Sequence, residues 1–343
     1  MSQALCWPST ASFAGRPWLL TGALVLAPAS LMLLSLLCGA GEWTMAQALD
    51  GLLGRPVPED LQLVMSQLRW PRTLGAWFIG ALLGLAATLL QTATRNPLAE
   101  TGLLGINGGA ALGVVLGLFC GQIVLPLDYF PWAMAGALLG NACILLLLRR
   151  AGPRASPLRL ILAGAALSAT FQGITSVLLL FDQNAYDQYR FWVLGSLVGI
   201  RCPMVIWLAG FALIGGLLAW ALARPLCALQ LGQESARALG YRPGVIRLLV
   251  SALVAWLAGS AVAVAGPLLL IGLLGALCAN ALLGPRLLPR LALSAWFGGL
   301  LLLAADIAAR LVLRPYDLPV SLLLALQGAP VLIALVWRAR LHW

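Results

Sequence analysis

"RNPLAETGLLGINGGAALG", Arg95 to Gly113, sets a charged, proline-bearing turn directly against a ladder of glycines and offers no side chain that obviously does chemistry. Pro97 biases Asn96 away from the helical region, so a turn is expected there on covalent grounds. Beyond it Gly105, Gly109, Gly113, Gly117 and Gly121 recur at every fourth residue and fall on one slowly drifting face of a helix. Such a stripe lets a second helix approach backbone to backbone. In lipid, where apolar side chains gain little by leaving the acyl tails, small-residue surfaces are a main source of helix association. Gly80 with Gly84, and Gly136 with Gly140, repeat the spacing. The glycines predict close packing. Whether the packed helix also borders a transport path, or only belongs to a tight bundle, is left open by the spacing.

The solvent for this packing is a bilayer. The 343 residues are 62% hydrophobic and 9% charged, and the mean hydropathy of +0.96 lies outside the range of soluble domains. Apolar runs long enough to cross ~30 Å of hydrocarbon recur along nearly the whole chain. They predict helices at about 18–39, 72–93, 102–121, 126–148, 159–181, 203–223, 245–264, 267–284, 291–313 and 320–337. The expected fold is an all-α polytopic membrane protein of about ten transmembrane helices, one domain over 1–343 with a short N-terminal tail, 1–17. The first run follows Arg16 and could pass for a signal peptide, but its length and the lack of an A-x-A-like cleavage site favour a retained helix.

All 21 basic residues are arginine. Without lysine there is no G-x-x-x-x-G-K-[ST] loop, so any ATP-driven work requires another chain to bind the nucleotide. The net charge of +10 does not point to nucleic acid, because the arginines are scattered at helix ends without a basic tract. Placing both termini in the cytoplasm puts fourteen arginines on the cytoplasmic side and seven opposite, which is the orientation the positive-inside rule favours. The seven cysteines form no CxxC pair and read as small buried hydrophobes.

Polar chemistry is sparse. Asp306 is the one acid well inside a predicted span, with Arg310 one turn later on the same face. A local ion pair and a proton relay are both open readings of that spacing. The single histidine, His342, is penultimate, and no HExxH, DDxxD or GxSxG pattern appears. The chain is therefore read as non-catalytic, with no cofactor or metal of its own. The loop at about 224–245 has a helix-compatible core, Gln233 to Leu239, bracketed by Gly232 and Gly240. It suits either docking of a cytoplasmic partner or plain connection.

Five motifs in order are similar to those of the permease subunits of ABC importers for iron chelates, siderophores, haem and vitamin B12, the FecCD-type permeases. "RWPR" (Arg69 to Arg72) resembles R-x-P-R. "LLQTATRNPLAETGLLGINGGAALG" (Leu89 to Gly113) resembles Q-x-x-x-R-N-P-L-A-x-P-x-x-L-G-x-x-x-G-A. "LGQESARALG" (Leu231 to Gly240), "AVAGP" (Ala263 to Pro267) and "DLPVSLLLALQGAP" (Asp317 to Pro330) complete the set. The resemblance implies a type II importer permease in the bacterial inner membrane, working with two cytoplasmic ATP-binding subunits that hold ATP and Mg, a second permease subunit and a periplasmic substrate-binding protein. It implies a ferric siderophore as cargo, with haem or vitamin B12 as alternatives. An ion-coupled carrier, which would depend on Asp306, is the rival of another class.

The same resemblance gives roles to particular residues. Leu231, Gly232, Glu234, Ala236, Arg237, Leu239 and Gly240 become the element that couples to the ATPase. Arg69, Arg72 and Arg310 become the arginines that meet acidic groups on the binding protein. Arg95, Asn96, Pro97, Gly105, Gly109 and Gly113 become the turn and packing face of a helix near the translocation path. Two departures stand out: Thr101 replaces a proline, and Ala276, Leu277 and Asn280 replace the proline, histidine and arginine of "GLxxPHxxR". The second departure predicts a heterodimer whose other permease keeps the full pattern.

Overall fold

A computed structural model describes residues 17–39, 43–150, 157–312 and 316–340. The N-terminal tail 1–16, Arg154, Arg314 and His342 lie outside the described residues. All regular structure among the described residues is helical. In chain order the helices are α1 (Pro17–Leu37), α2 (Met45–Leu52), α3 (Glu59–Val64), α4 (Trp70–Thr94), α5 (Ile106–Phe119), α6 (Tyr129–Arg150), α7 (Pro157–Leu179), α8 (Gln183–Val193), α9 (Cys202–Gln230), α10 (Gln233–Ala238), α11 (Pro243–Ala265), α12 (Ile271–Leu283), α13 (Leu287–Val312) and α14 (Val320–Arg340). Each of the ten expected apolar segments coincides with one of these. Six stretches among the described residues are long and apolar enough to cross a membrane, and four shorter apolar helices accompany them.

Helix α4 is the axis of the molecule. Between Arg72 and Gln91 it is apolar or small on every face, as a helix surrounded by others must be, and 78% of its most apolar 18 residues are buried. Around it pack α13, α11, α9 and α12. Glycine makes the closest approach possible: a Cβ on Gly80 or Gly84 would run into the backbone of Gly298 or Ser294 on α13. The ladder in α5 works the same way against α6. Gly105 and Gly109 face the backbone of Gly140 and Gly136, and Gly113 faces Trp132 and Gly136. Gly117 meets the Trp132 ring, whereas Gly121 lies past the helix end in open space. Asn141 and Ser251 join α6 to α11 through a buried hydrogen bond from Ser251 Oγ to Asn141 Oδ1 at 2.8 Å.

Two starts differ from expectation. Helix α5 begins at Ile106 rather than 102, and α12 begins at Ile271 rather than 267. Each is preceded by a residue in the left-handed region, Gly105 (φ 68°) and Leu270 (φ 69°). Pro267 removes an amide donor and disfavours helix at the residue before it, so Gly266 to Leu270 runs as non-helical chain. The result is two helices of 14 and 13 residues, about 20 Å each, too short to span ~30 Å of hydrocarbon. The start of α12 lies beside the middle of α4, since a Cβ on Gly272 would sit 2.6 Å from the Leu83 carbonyl oxygen.

The stretch before α4 is more ordered than a loop. Thr44 and Gln47 form a capping box at the start of α2. Helix α3 then passes through a π-helical turn, Met65–Arg69, directly into α4. Helix α9 also outruns its expected end at 223, continuing through Pro225 to Gln230.

Candidate functional site

At the end of the molecule where α4 starts, charged side chains from four segments meet inside the protein. Arg72 donates from Nε to Asp306 Oδ1 at 2.9 Å and from Nη1 to Asp317 Oδ2 at 2.8 Å. Arg310 donates to the other oxygen of Asp306, to Ser35 Oγ at 2.6 Å and to the carbonyl of Ser35 at 2.9 Å. Ser35 Oγ is in turn hydrogen-bonded to Thr73 Oγ1 at 2.7 Å. Arg69 caps the end of α1, donating to the carbonyls of Leu36 at 2.8 Å and Leu37 at 3.3 Å. These acceptors belong to the last turn of α1, whose carbonyls have no helical partner, so the arginines satisfy groups that would otherwise be stranded.

Burial makes this cluster unusual. Asp306 is fully buried, and Arg69, Arg72 and Arg310 are 5%, 8% and 2% exposed. A carboxylate so placed is tolerated only because two guanidinium groups share it. Asp306 is thus held between Arg72 and Arg310, which is the ion-pair reading of its spacing with one partner added. Arg69, Arg72 and Arg310, the implied docking arginines, are brought together but turned inward in this conformation. Asp317 and Ser35 were not singled out by their own chemistry. The signal available for Asp317 was its place at the head of the "DLPV" motif.

The other end of α4 carries the turn that opened the sequence reading. Arg95 takes the left-handed conformation (φ 54°) that ends α4, and its guanidinium bonds the Leu229 carbonyl near the end of α9. Asn96 Oδ1 accepts from the Leu98 amide at 3.0 Å, so Asn96-Pro97 forms an Asx-type turn. Glu100 then leaves the surface, and its Oε1 accepts from the Leu270 amide at 2.8 Å at the start of α12. This carboxylate therefore caps a helix that begins beside the middle of α4. Thr101, in place of the expected proline, is buried in the same segment.

Helix α10 follows immediately after α9. Ala236 is fully buried and roots it, while Glu234, Arg237, Leu239 and Gly240 are exposed. The amide of Tyr241 reaches the Ala236 carbonyl and that of Gly240 the Arg237 carbonyl, both at 2.9 Å, with Gly240 at φ 82°. This glycine-dependent cap stops the helix after six residues. Gly232 (φ 131°) breaks it from α9 on the other side. Leu231 and Leu239, 72% and 61% exposed, flank an open cavity of about 530 Å³ beside the helix. Short and bracketed by glycines, α10 presents an exposed polar face with apolar shoulders.

The altered segment of α12 has a local explanation. Asn280 Oδ1 accepts from Arg290 Nη1 at 3.1 Å, and Arg290 Nη2 reaches Thr92 Oγ1 at 2.6 Å. Arginine 290 of α13 therefore occupies the space beside Asn280 and ties α12, α13 and α4 together. Ala276 is buried.

Comparison with known proteins matches residues 24–338 to the FecCD transport family. The ferric enterobactin transport system permease protein FepD of Escherichia coli K12 is 39% identical over 307 residues, covering 89% of this chain and 91% of that protein. The Fe(3+) dicitrate transport system permease protein FecC of the same organism is 37% identical, with 94% and 98% covered. Among solved structures, an inward-facing conformation of a transporter described as of the metal-chelate ABC type superposes with a TM-score of 0.77 at 28% identity, covering 94% of this chain and 99% of that one.

Proposed function

Because the chain belongs to the FecCD transport family, we propose that it is the permease subunit of an ATP-driven importer that carries a ferric siderophore across the cytoplasmic membrane. The observation that carries this reading is the similarity to the enterobactin and dicitrate permeases along nearly the full length of both chains. In this reading the chain is one transmembrane domain with both termini in the cytoplasm, and its ten apolar segments cross the bilayer, α5 and α12 together with the stretch of chain that precedes each. It binds no cofactor. Two cytoplasmic subunits hold ATP and Mg, a periplasmic binding protein delivers the cargo, and a second permease chain completes the path.

The geometry supplies a route for the work. Glu234 and Arg237 on exposed α10 meet the ATPase, and buried Ala236 transmits its displacement to α9, a 29-residue rod. Arg95 links α9 to the end of α4, and α4 runs to the ionic cluster at the opposite end. Arg69, Arg72 and Arg310 meet acidic groups of the binding protein by exchanging their present partners, Asp306, Asp317 and the α1 carbonyls. Cargo selection rests largely with the binding protein. An ion-coupled carrier is disfavoured, because both oxygens of Asp306 are committed to arginines.

The test is a gentle detergent pull-down of the tagged chain from its native membrane, with mass spectrometry of everything retained at stoichiometric levels. A P-loop ATPase and a second permease of similar length are the expected companions. Recovery of the chain alone, still competent for uptake after reconstitution, overturns the proposal.

A further inference from the structure

Between α4, α9 and α13 an apolar groove of about 250 Å³ opens on the outside of the bundle. Leu82, Leu85 and Leu291 share its walls with small residues from all three helices, among them Ala81, Gly216 and Ala292. Trp220 and Leu288 stand at one end, 67% and 44% exposed. Helix α9 beside it turns Leu213, Leu217 and Trp220 outward, and only 22% of its most apolar 18 residues are buried. From Ala212 to Trp220 the groove runs about 12 Å along the helix, against roughly 15 Å for half the hydrocarbon thickness.

The size argues against a missing helix. Twelve ångströms of an α-helix about 10 Å wide fill roughly 900 Å³, more than the whole open space of about 640 Å³ in the groove, whereas a single extended alkyl chain is slender enough to lie in it. The charge that follows the groove's lining along α9 and precedes it at α13 says which lipid. Arg224 lies one turn beyond Trp220 on α9, and Arg286 lies two residues before Leu288 at the entry to α13. Both are exposed, and among the described residues neither has an ion-pair partner. An exposed tryptophan beside them is the residue that marks a membrane–water interface. Guanidinium groups bind phosphate through paired N–H donors, and basic pockets between helices at this level hold lipid headgroups.

We propose that this groove is a site for one anionic phospholipid, with an acyl chain laid against Gly216 between α9 and α13 and its phosphate held by Arg224 and Arg286. Arg224 also lines the cavity beside α10. The lipid headgroup therefore sits next to the segment proposed to couple with the ATPase.

The experiment uses the full chain with whatever subunits co-purify. The complex is exposed to equal phosphatidylglycerol and phosphatidylcholine of one acyl composition, and native mass spectrometry counts the lipid each chain retains. Phosphatidylglycerol should be preferred by roughly tenfold or more, from two arginines at an anionic headgroup. Arg224→Gln with Arg286→Gln should erase the preference while lipid still binds. Gly216→Leu, whose Cβ meets nothing within 4 Å, should displace both lipids from a complex that elutes and melts as the parent does. Equal binding of the two lipids by the parent, or an unchanged preference in the double variant, overturns the headgroup site. Unchanged retention in Gly216→Leu overturns the groove, and dissociation of another protein chain by that substitution shows that protein covers it instead.

Discussion

Replacing Asp306 by asparagine tests the ionic cluster most directly. The side chain is fully buried and serves two cations, with Arg72 Nε at 2.9 Å and Arg310 on its other oxygen. Asparagine keeps the shape, but it removes the negative charge and turns an amide donor toward a guanidinium group. Arg72 retains Asp317; Arg310 retains only neutral oxygens of Ser35 and Cys38 besides the Asp306 backbone. Removing one partner from a buried pair costs about 3–5 kcal/mol, or roughly 10²- to 4 × 10³-fold in the folding equilibrium. The assay is equilibrium unfolding in mixed micelles, read by tryptophan fluorescence. Adding Arg310→Gln removes the stranded cation, so the double variant should recover by about 0.5–3 kcal/mol relative to additivity. A loss below about 1 kcal/mol for Asp306→Asn, or strict additivity, refutes the claim that charge pairing holds this end together. Iron-chelate uptake per folded molecule should survive at a measurable level. Its complete loss, with folding intact, would revive the ion-coupled carrier.

Three further outcomes follow from the packing. Gly109→Val should cost about 1–3 kcal/mol by forcing α5 away from Gly136 and Gly140, whereas Gly210→Ala, whose Cβ meets nothing within 4 Å, should be neutral or stabilising in the same unfolding assay. Glu100→Ala should speed hydrogen exchange at the Leu270 amide by about tenfold, the equivalent of a lost cap worth ~1.4 kcal/mol, and Glu100→Gln should largely preserve protection. Asn280→Arg, which restores the arginine of the related pattern, should destabilise the protein by about 1–3 kcal/mol because Arg290 already fills the adjoining space; exchanging the two residues, Asn280→Arg with Arg290→Asn, should recover most of the loss.

The parts of the fold that were legible in the sequence depend on neighbours along one helix. Apolar runs gave the helices because length and hydropathy are local, and the four-residue glycine spacing gave the packing faces of α4, α5 and α6 because it is a property of one helix surface. Gly232 and Gly240 bracketed α10 for the same reason. The lapses are also physical. Residues 59–69 hold Glu59, Asp60, Gln62, Ser66 and Gln67, so no apolar run marks them, yet they form continuous helix into α4 with Leu61, Met65 and Arg69 buried beneath it. The starts of α5 and α12 were misplaced by four residues because an apolar run does not reveal a positive φ at Gly105 or Leu270.

By itself the sequence determined that this chain lives in a bilayer, that it is built of apolar helices joined at small-residue stripes, and that it cannot hold a nucleotide in a lysine-bearing phosphate loop. Only the tertiary structure decided where its few charges go. From spacing alone Asp306 had one visible partner, Arg310, a turn away. Its second, Arg72, is 234 residues distant, and the Asp317 that completes the set is 245 residues from Arg72. Glu100, just after the Asn96-Pro97 turn, reaches across 170 residues to cap α12. Hydropathy is a sum over consecutive residues and survives in the linear text, but a buried ion pair is an agreement between helices. It exists only once packing has brought their ends together and removed the water that would otherwise satisfy each charge alone.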